Sequence, residues 1–286
     1  MDQMNPVMVF GSYHSWKLNH NTHIINFMDG TQNMYLLEGS QRALLIDTGW
    51  GAGNLRAFIE KLTDKPILVI NTHCHPDHAG GNGEWPSVMM LTGGEKDLAT
   101  CAGGPFDLDK LPFPNYRHEI VHDGDVIDLG NRKLEVMDIS AHSNGSLALW
   151  DHEAGQLFVG DELESAQVIM HELAAVPGVE YVLEERLRRH HANMQRLRER
   201  LTGAEQIFPA HNGAPIAQEY IDDYIELVEK IYDGDAVIED KLNHRFAEMD
   251  DPEHRLCRIR WKGASFFVVK EDLLLFYGSK WRGDSI

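Results

Sequence analysis

The sequence predicts an α/β (α+β) fold, and three observations carry that reading. Short apolar runs bounded by turn residues recur from the N-terminal third to Phe208, as strands do. Two later segments, Tyr181–Leu201 and Ala217–Tyr232, carry apolar residues at helical spacing among charges and read as helices packed by one face. Between them in character stands Ile67–Asn71 (ILVIN), continuous, apolar and β-branched, the composition of a strand covered on both sides.

The elements follow in order. Val7–Tyr13 has strand composition. Asn33–Glu38 and Ala43–Asp47, separated by Gly39, Ser40 and Gln41, read as a hairpin. The glycine-rich turn Thr48–Gly53 leads into a helix over Asn54–Leu62, marked by Leu55, Phe58, Ile59 and Leu62 and closed before Pro66. Glu84–Tyr116 is rich in Gly and Pro, with one helix predicted near Glu95–Cys101, and reads as a long binding loop. Strands resume at Asp125–Leu129, Lys133–Ile139, Leu147–Asp151, Gln156–Val159 and Gln206–Phe208. The tail has a helix candidate at Ala236–Ala247 and a hairpin of Leu256–Trp261 with Ser265–Val269. The expected organisation is a catalytic domain over residues 1–233 and a C-terminal appendage over residues 234–286.

Composition excludes several classes. With 286 residues and 43% apolar content the chain can build a real core. Forty-five acidic against 26 basic residues leave a net charge of −19, which argues against nucleic acid as a partner. No run is long and apolar enough for a membrane span, and Met1–Asn5 lacks a basic start followed by an apolar run, so a soluble, unexported protein is expected. Three scattered cysteines, Cys74, Cys101 and Cys257, suit reduced thiols and a cytoplasmic location better than a disulfide framework.

Histidine stands out, with 16 residues, because imidazole is both a metal ligand and a proton carrier near neutrality. Thr72–Gly81 reads THCHPDHAGG and puts His73, His75, Asp77 and His78 on one loop directly after a predicted buried strand. Residues two apart on extended chain point the same way, so His73 and His75 can converge on one ion. Asp77 and His78 fall where the chain turns and can reach another, while the intervening Cys74 is expected to pack beneath the loop. His142, Asp161 and His211 each follow a predicted strand. Together these seven residues suffice for two adjacent metal ions if one carboxylate bridges.

The order of these patches resembles the metallo-β-lactamase superfamily: the Asp47-Thr48-Gly49 turn, the His-x-His-x-Asp-His loop, Ala141–Ser146 (AHSNGS), Gly160-Asp161 and Pro209-Ala210-His211, over roughly Asn33–Gly213. The resemblance implies a four-layer αββα sandwich with a dinuclear centre at one edge of its two sheets. It implies His73, His75 and His142 as ligands of the first metal. Asp77, His78 and His211 would hold the second, with Asp161 bridging and Asp47 behind the ligands, fixing imidazole tautomers. It also suggests His171 and Tyr181 as residues lining a substrate pocket.

The donor set favours two Zn²⁺ ions, with Fe or Mn as alternatives. The expected function is a metal-dependent hydrolase in which a metal-bridging hydroxide attacks the carbonyl of a small lactone, ester, thioester or amide. Asp77 would orient the attacking group and carry a proton. The competing reading is a mononuclear iron enzyme similar to the persulfide dioxygenases, which share Thr-His-Cys-His. His190 and His191 are expected to be ordinary helix-face residues, with His191 on the apolar stripe. Arg258, Arg260, Trp261, Phe266 and Phe267 are residue types enriched at interfaces, so the appendage is expected to form a homodimer contact, with a lid or simple packing as alternatives.

Overall fold

A computed structural model describes residues 8–10, 13–27, 32–51, 53–98, 116–171, 181–203, 205–239 and 255–277. Its elements in chain order are β1 (Met8–Phe10), β2 (Tyr13–Asn19), β3 (Thr22–Phe27), β4 (Met34–Glu38), β5 (Ala43–Ile46), α1 (Leu55–Ile59), β6 (Ile67–Ile70), α2 (Pro76–Ala79), β7 (Ser87–Leu91), α3 (Gly94–Asp97), β8 (Arg117–Val121), β9 (Val126–Asp128), β10 (Lys133–Asp138), β11 (Leu147–Asp151), β12 (Gln156–Gly160), β13 (Val168–Ile169), α4 (Leu183–Arg200), β14 (Gln206–Pro209), α5 (Glu219–Asp233), β15 (Val237–Glu239), β16 (Leu256–Trp261), β17 (Ala264–Val269) and α6 (Lys270–Tyr277).

Among the described residues the strands form three sheets. One runs β1 to β8 in sequence order, antiparallel as far as β5 and parallel from β5 to β8. The second has the order β14-β12-β11-β10-β9, with β12 and β14 parallel. The third is β13-β17-β16-β15.

The alternation of side chains along each strand builds the layers. From β4 and β5, Tyr35, Leu37, Leu44 and Ile46 point inward to meet Leu134, Val136, Leu147, Leu149 and Phe158 of the second sheet. Their neighbours Met34, Leu36, Ala43 and Leu45 point outward against Leu55, Phe58 and Ile59 of α1. On the far side of the second sheet Met137, Ala148, Trp150, Leu157 and Val159 pack on α4 and α5 through Leu187, Met194, Leu197, Tyr224, Ile225 and Val228. Helix, sheet, sheet, helix is therefore the layer order. The central strand β5 is apolar and buried in every position because both its faces are covered.

The third sheet shares the α4/α5 core: Cys257, Ile259, Phe266 and Val268 belong to the same buried cluster. Val168 and Ile169 pair in parallel with Phe266 and Phe267, tying the segment after Asp161 to the tail. Phe266 and Phe267 are buried within the chain, Trp261 donates to Glu226 (2.9 Å), and Arg258 and Arg260 both bind Glu239. No helix among the described residues is long and apolar enough to cross a membrane.

Several expectations need correction. The region read as a long loop from Glu84 holds the strand β7, and the helix expected near Glu95–Cys101 is present at its start as α3. Its buried Val88–Leu91 strand is hidden in the sequence between Pro86 and Gly93-Gly94, whose turn signals dominate so short a run. Residues 99–115 of that region lie outside the described residues, as does the end of the helix expected near Glu95–Cys101. The expected strand Val7–Tyr13 is divided between β1 and β2, and β3, β8 and β13 were not anticipated: their polar or very short sequences give no clean period. The helix expected from Ala236 is a strand at Val237–Glu239, held by antiparallel pairing with β16, and its remainder lies outside the described residues.

Candidate metal centre

The site forms where strands of the two inner sheets end. The signature loop leaves β6, His142 follows β10, Asp161 follows β12 and His211 follows β14. Gly160 allows the closeness: its φ is +55°, and a Cβ there would meet the Thr72 side chain at 2.7 Å. Leu147 N donates to Thr72 O (2.8 Å), joining the two sheets at this edge. His75 is extended, and the chain then turns into α2 at Pro76, a residue suited to a first helical position. That turn brings the His78 ring beside that of His73, with centroids 3.9 Å apart, while Asp77 faces His211.

Three ring nitrogens converge. His73 Nε2 lies 3.1 Å from His75 Nδ1, and His142 Nε2 lies 3.3 Å and 3.0 Å from those two atoms. Nitrogens about 2.0–2.1 Å from a tetrahedral zinc stand about 3.3 Å apart, so this triangle fits one face of its coordination shell. His142 is oriented by its Nδ1, which donates to Ile169 O (2.6 Å) and leaves Nε2 to accept a metal. Burial holds all three rings neutral: His75 titrates at about 4, His142 at about 3, and His73 well below its ordinary value, with the neighbouring imidazoles adding to burial.

The second group differs in charge. Asp77 Oδ2 stands 3.1 Å from His211 Nε2 and 3.5 Å from His78 Nε2. Asp161 Oδ2 lies 3.5 Å from His211 Nε2, 3.8 Å from His142 Nε2 and 3.9 Å from His73 Nε2, between the two groups. Burial disfavours charge here too, but opposite charges outweigh it. Asp161 and Asp77 raise His211 to about 10 and His78 well above its ordinary value, while His78 and His211 hold Asp77 well below the usual carboxylate range. His78 Nε2 and Asp161 Oδ1 are buried 3.4 Å apart, and neither makes a well-formed hydrogen bond. Such orphaned atoms call for a cation between them, and the donor set fits one. Asp77 and His211, with side chains 19% and 21% exposed, form the open side of the site.

Behind the candidate ligands, Asp47 occupies the left-handed region (φ +64°), which Asp tolerates better than most residues. Its carboxylate accepts from Thr72 N (2.7 Å) and Thr72 Oγ1 (2.8 Å) and faces His78 Nδ1 at 2.9 Å. Gln32 Nε2 also approaches that nitrogen, at 3.4 Å. Cys74 is buried among the apolar residues under the first sheet, away from both groups.

Tyr181 directs its hydroxyl to Met170 O, with the Arg186 guanidinium over its ring at 4.9 Å. His171 is buried two residues beyond the carbonyl that holds His142. Sequence reading missed Glu162, Glu164, Arg186 and His190, all buried near the site. Glu162 Oε1 accepts from the N–H groups of Ala141 (2.8 Å) and His142 (2.7 Å). Glu164 accepts from Asn212, beside His211. His190, not His191, lies in the α4 core and bonds Glu162 O (2.7 Å), whereas His191 is partly exposed near Glu229. The available signal was Arg186 and His190 four apart, in phase with Leu183 and Leu187.

Comparison with known proteins is consistent with this geometry. A family profile described as "Metallo-beta-lactamase superfamily" matches residues 28–236. The acyl-coenzyme A thioesterase MBLAC2 of Gallus gallus is 30% identical over 164 residues, covering 48% of this chain and 59% of that protein. A hydroxyacylglutathione hydrolase of Erythrobacter litoralis is 39% identical over 99 residues, 33% of each. The chain thus spans about 60% or less of the length of these relatives. Among solved structures, a beta-lactamase domain protein from Burkholderia ambifaria superposes with a TM-score of 0.58 at 19% identity, covering 79% of this chain and 80% of that one, which speaks to the fold alone.

Proposed function

Because the chain belongs to the metallo-beta-lactamase superfamily, we propose that it is a dinuclear zinc hydrolase of small thioesters, with His73, His75 and His142 holding one ion, Asp77, His78 and His211 the other, and Asp161 shared. The reading rests on one observation: two ligand triads stand side by side with Asp161 Oδ2 within 3.9 Å of ring nitrogens from both. A thioester is favoured over a lactone, oxygen ester or amide because relatives with two different names, an acyl-coenzyme A thioesterase and a hydroxyacylglutathione hydrolase, match the chain.

When bound, such a pair of ions ionises water near neutral pH and polarises a carbonyl. The chain's own groups do the rest. Ile169 O and Asp47 fix which nitrogens of His142 and His78 face inward. The Asp77 carboxylate, ionised and on the open side, takes the proton released as water attacks the carbonyl and returns it to the departing thiolate. Water and thioester become carboxylic acid and thiol, with no redox change.

Elemental analysis of the purified protein, followed by assay on an acyl-coenzyme A, an acylglutathione, a lactone and an oxygen ester, tests this. Close to two zinc ions per chain and preferential thioester turnover are expected. About one iron, no zinc and oxygen-dependent consumption of a persulfide would overturn it.

A further inference from the structure

His142 and its neighbour Ala141 lie in a segment without regular secondary structure, yet His142 must hold its ring nitrogen 3.0–3.3 Å from two other histidines. The backbone here is gripped from both sides. Glu162 Oε1 accepts from the N–H groups of Ala141 and His142. The Arg186 guanidinium donates to the carbonyl oxygens of the same two residues, at 3.0 Å to Ala141. Both clamping side chains are almost fully buried, Arg186 at 2% and Glu162 at 0%. Glu162 immediately follows Asp161, and its own carbonyl is bound by His190, one helical turn after Arg186 on α4.

We propose that Arg186 and Glu162 are positioning residues: the clamp couples the His142 backbone to that of Asp161 and thereby sets the distance between the first metal's third ligand and the shared carboxylate. A buried guanidinium is costly unless its donors are used, and here its terminal Nη1 alone serves both successive carbonyls, at a reach from the backbone that the shorter lysine side chain does not match. The segment thus takes its shape from a helix on the outer layer, although that helix supplies no ligand.

The inference rests on the two-metal reading, and the test keeps the two separable. Zinc stoichiometry and affinity, together with the visible absorption of the cobalt-substituted protein, are measured for the wild type, Arg186→Lys, Glu162→Met and Glu162→Gln. Arg186→Lys and Glu162→Met should weaken one of the two zinc ions by about 10- to 100-fold and shift the cobalt bands. Activity should fall mainly in kcat, while Glu162→Gln, which keeps the accepting oxygen, stays near wild type. A folded Arg186→Lys protein with wild-type zinc affinity and unchanged cobalt bands overturns the clamp, whatever Glu162→Met does. Should Arg186→Lys not fold, the same unchanged result in Glu162→Met overturns it. Absence of any bound metal in the wild type overturns the underlying reading as well.

Discussion

The two halves of the candidate centre are built from similar residues but prepared for a cation in opposite ways. Around His73, His75 and His142 the rings face one another, burial keeps them neutral, and three lone pairs stand ready. Around Asp77, His78 and His211 the imidazoles face carboxylates, which stabilise their protonated forms. A cation entering the first half displaces nothing. One entering the second exchanges with protons already neutralising Asp77 and Asp161. Ligand type alone conceals this: what matters is which groups face each ring.

The most direct way to break the comparison is Asp77→Ala. It removes the carboxylate particular to the second half, and hydrolysis should fall by more than about a hundredfold with close to one metal ion per chain retained and circular dichroism unchanged. Full turnover with two ions retained would end the proposed roles of Asp77.

The next effect is pH dependence. Metal affinity of the second position should climb by about tenfold per pH unit for each proton displaced, through neutral pH and toward the His211 value of about 10. The first position should be flat above about pH 5, since its imidazoles titrate at about 4 and about 3. Titration calorimetry in buffers of different ionisation enthalpy reads both slopes, and equal slopes would remove the distinction. The metal-free protein carries the matching stability signature. His75 and His142 are depressed from the ordinary 6.5, so the unfolded chain binds their protons first. Their contribution is complete above about 6.5 and is lost as pH falls toward 3.

The smallest effect sharpens how the first half is supported. His190→Ala should cost about 1–3 kcal/mol of stability, because it leaves the buried Glu162 carbonyl without that partner. His191→Ala, at a partly exposed pair, should leave the melting temperature unchanged. Equal melting temperatures for the two variants would show that α4 is not tied to the ligand loops through His190.

Much of the fold was legible where local pattern and tertiary demand agree. The strands β4, β5, β6, β11 and β12 are short, mostly apolar runs, β10 keeps a buried Leu134 and Val136-Met137 among charged residues, and α4 and α5 carry their stripes openly. Reading failed where partners decide. β3 mixes Thr, His and Asn with apolar residues, β7 is bracketed by Pro and Gly, and Val237–Glu239 becomes a strand only because β16 lies beside it. His190 and His191 were misplaced on their helix because Arg186 and His190 are polar yet buried, a choice set by carbonyl groups from distant loops.

By itself the sequence determined the types of the candidate ligands, their close spacing on the Thr72–Gly81 loop and their recurrence just past strands, because donor capacity is a property of side chains and strand ends can be read locally. Only the tertiary structure decided that seven such residues meet within a few ångströms, which rings are neutral, and that Glu162 and Arg186 stand behind His142. Those outcomes depend on through-space distance and desolvation between segments far apart in the chain, and no local pattern encodes them.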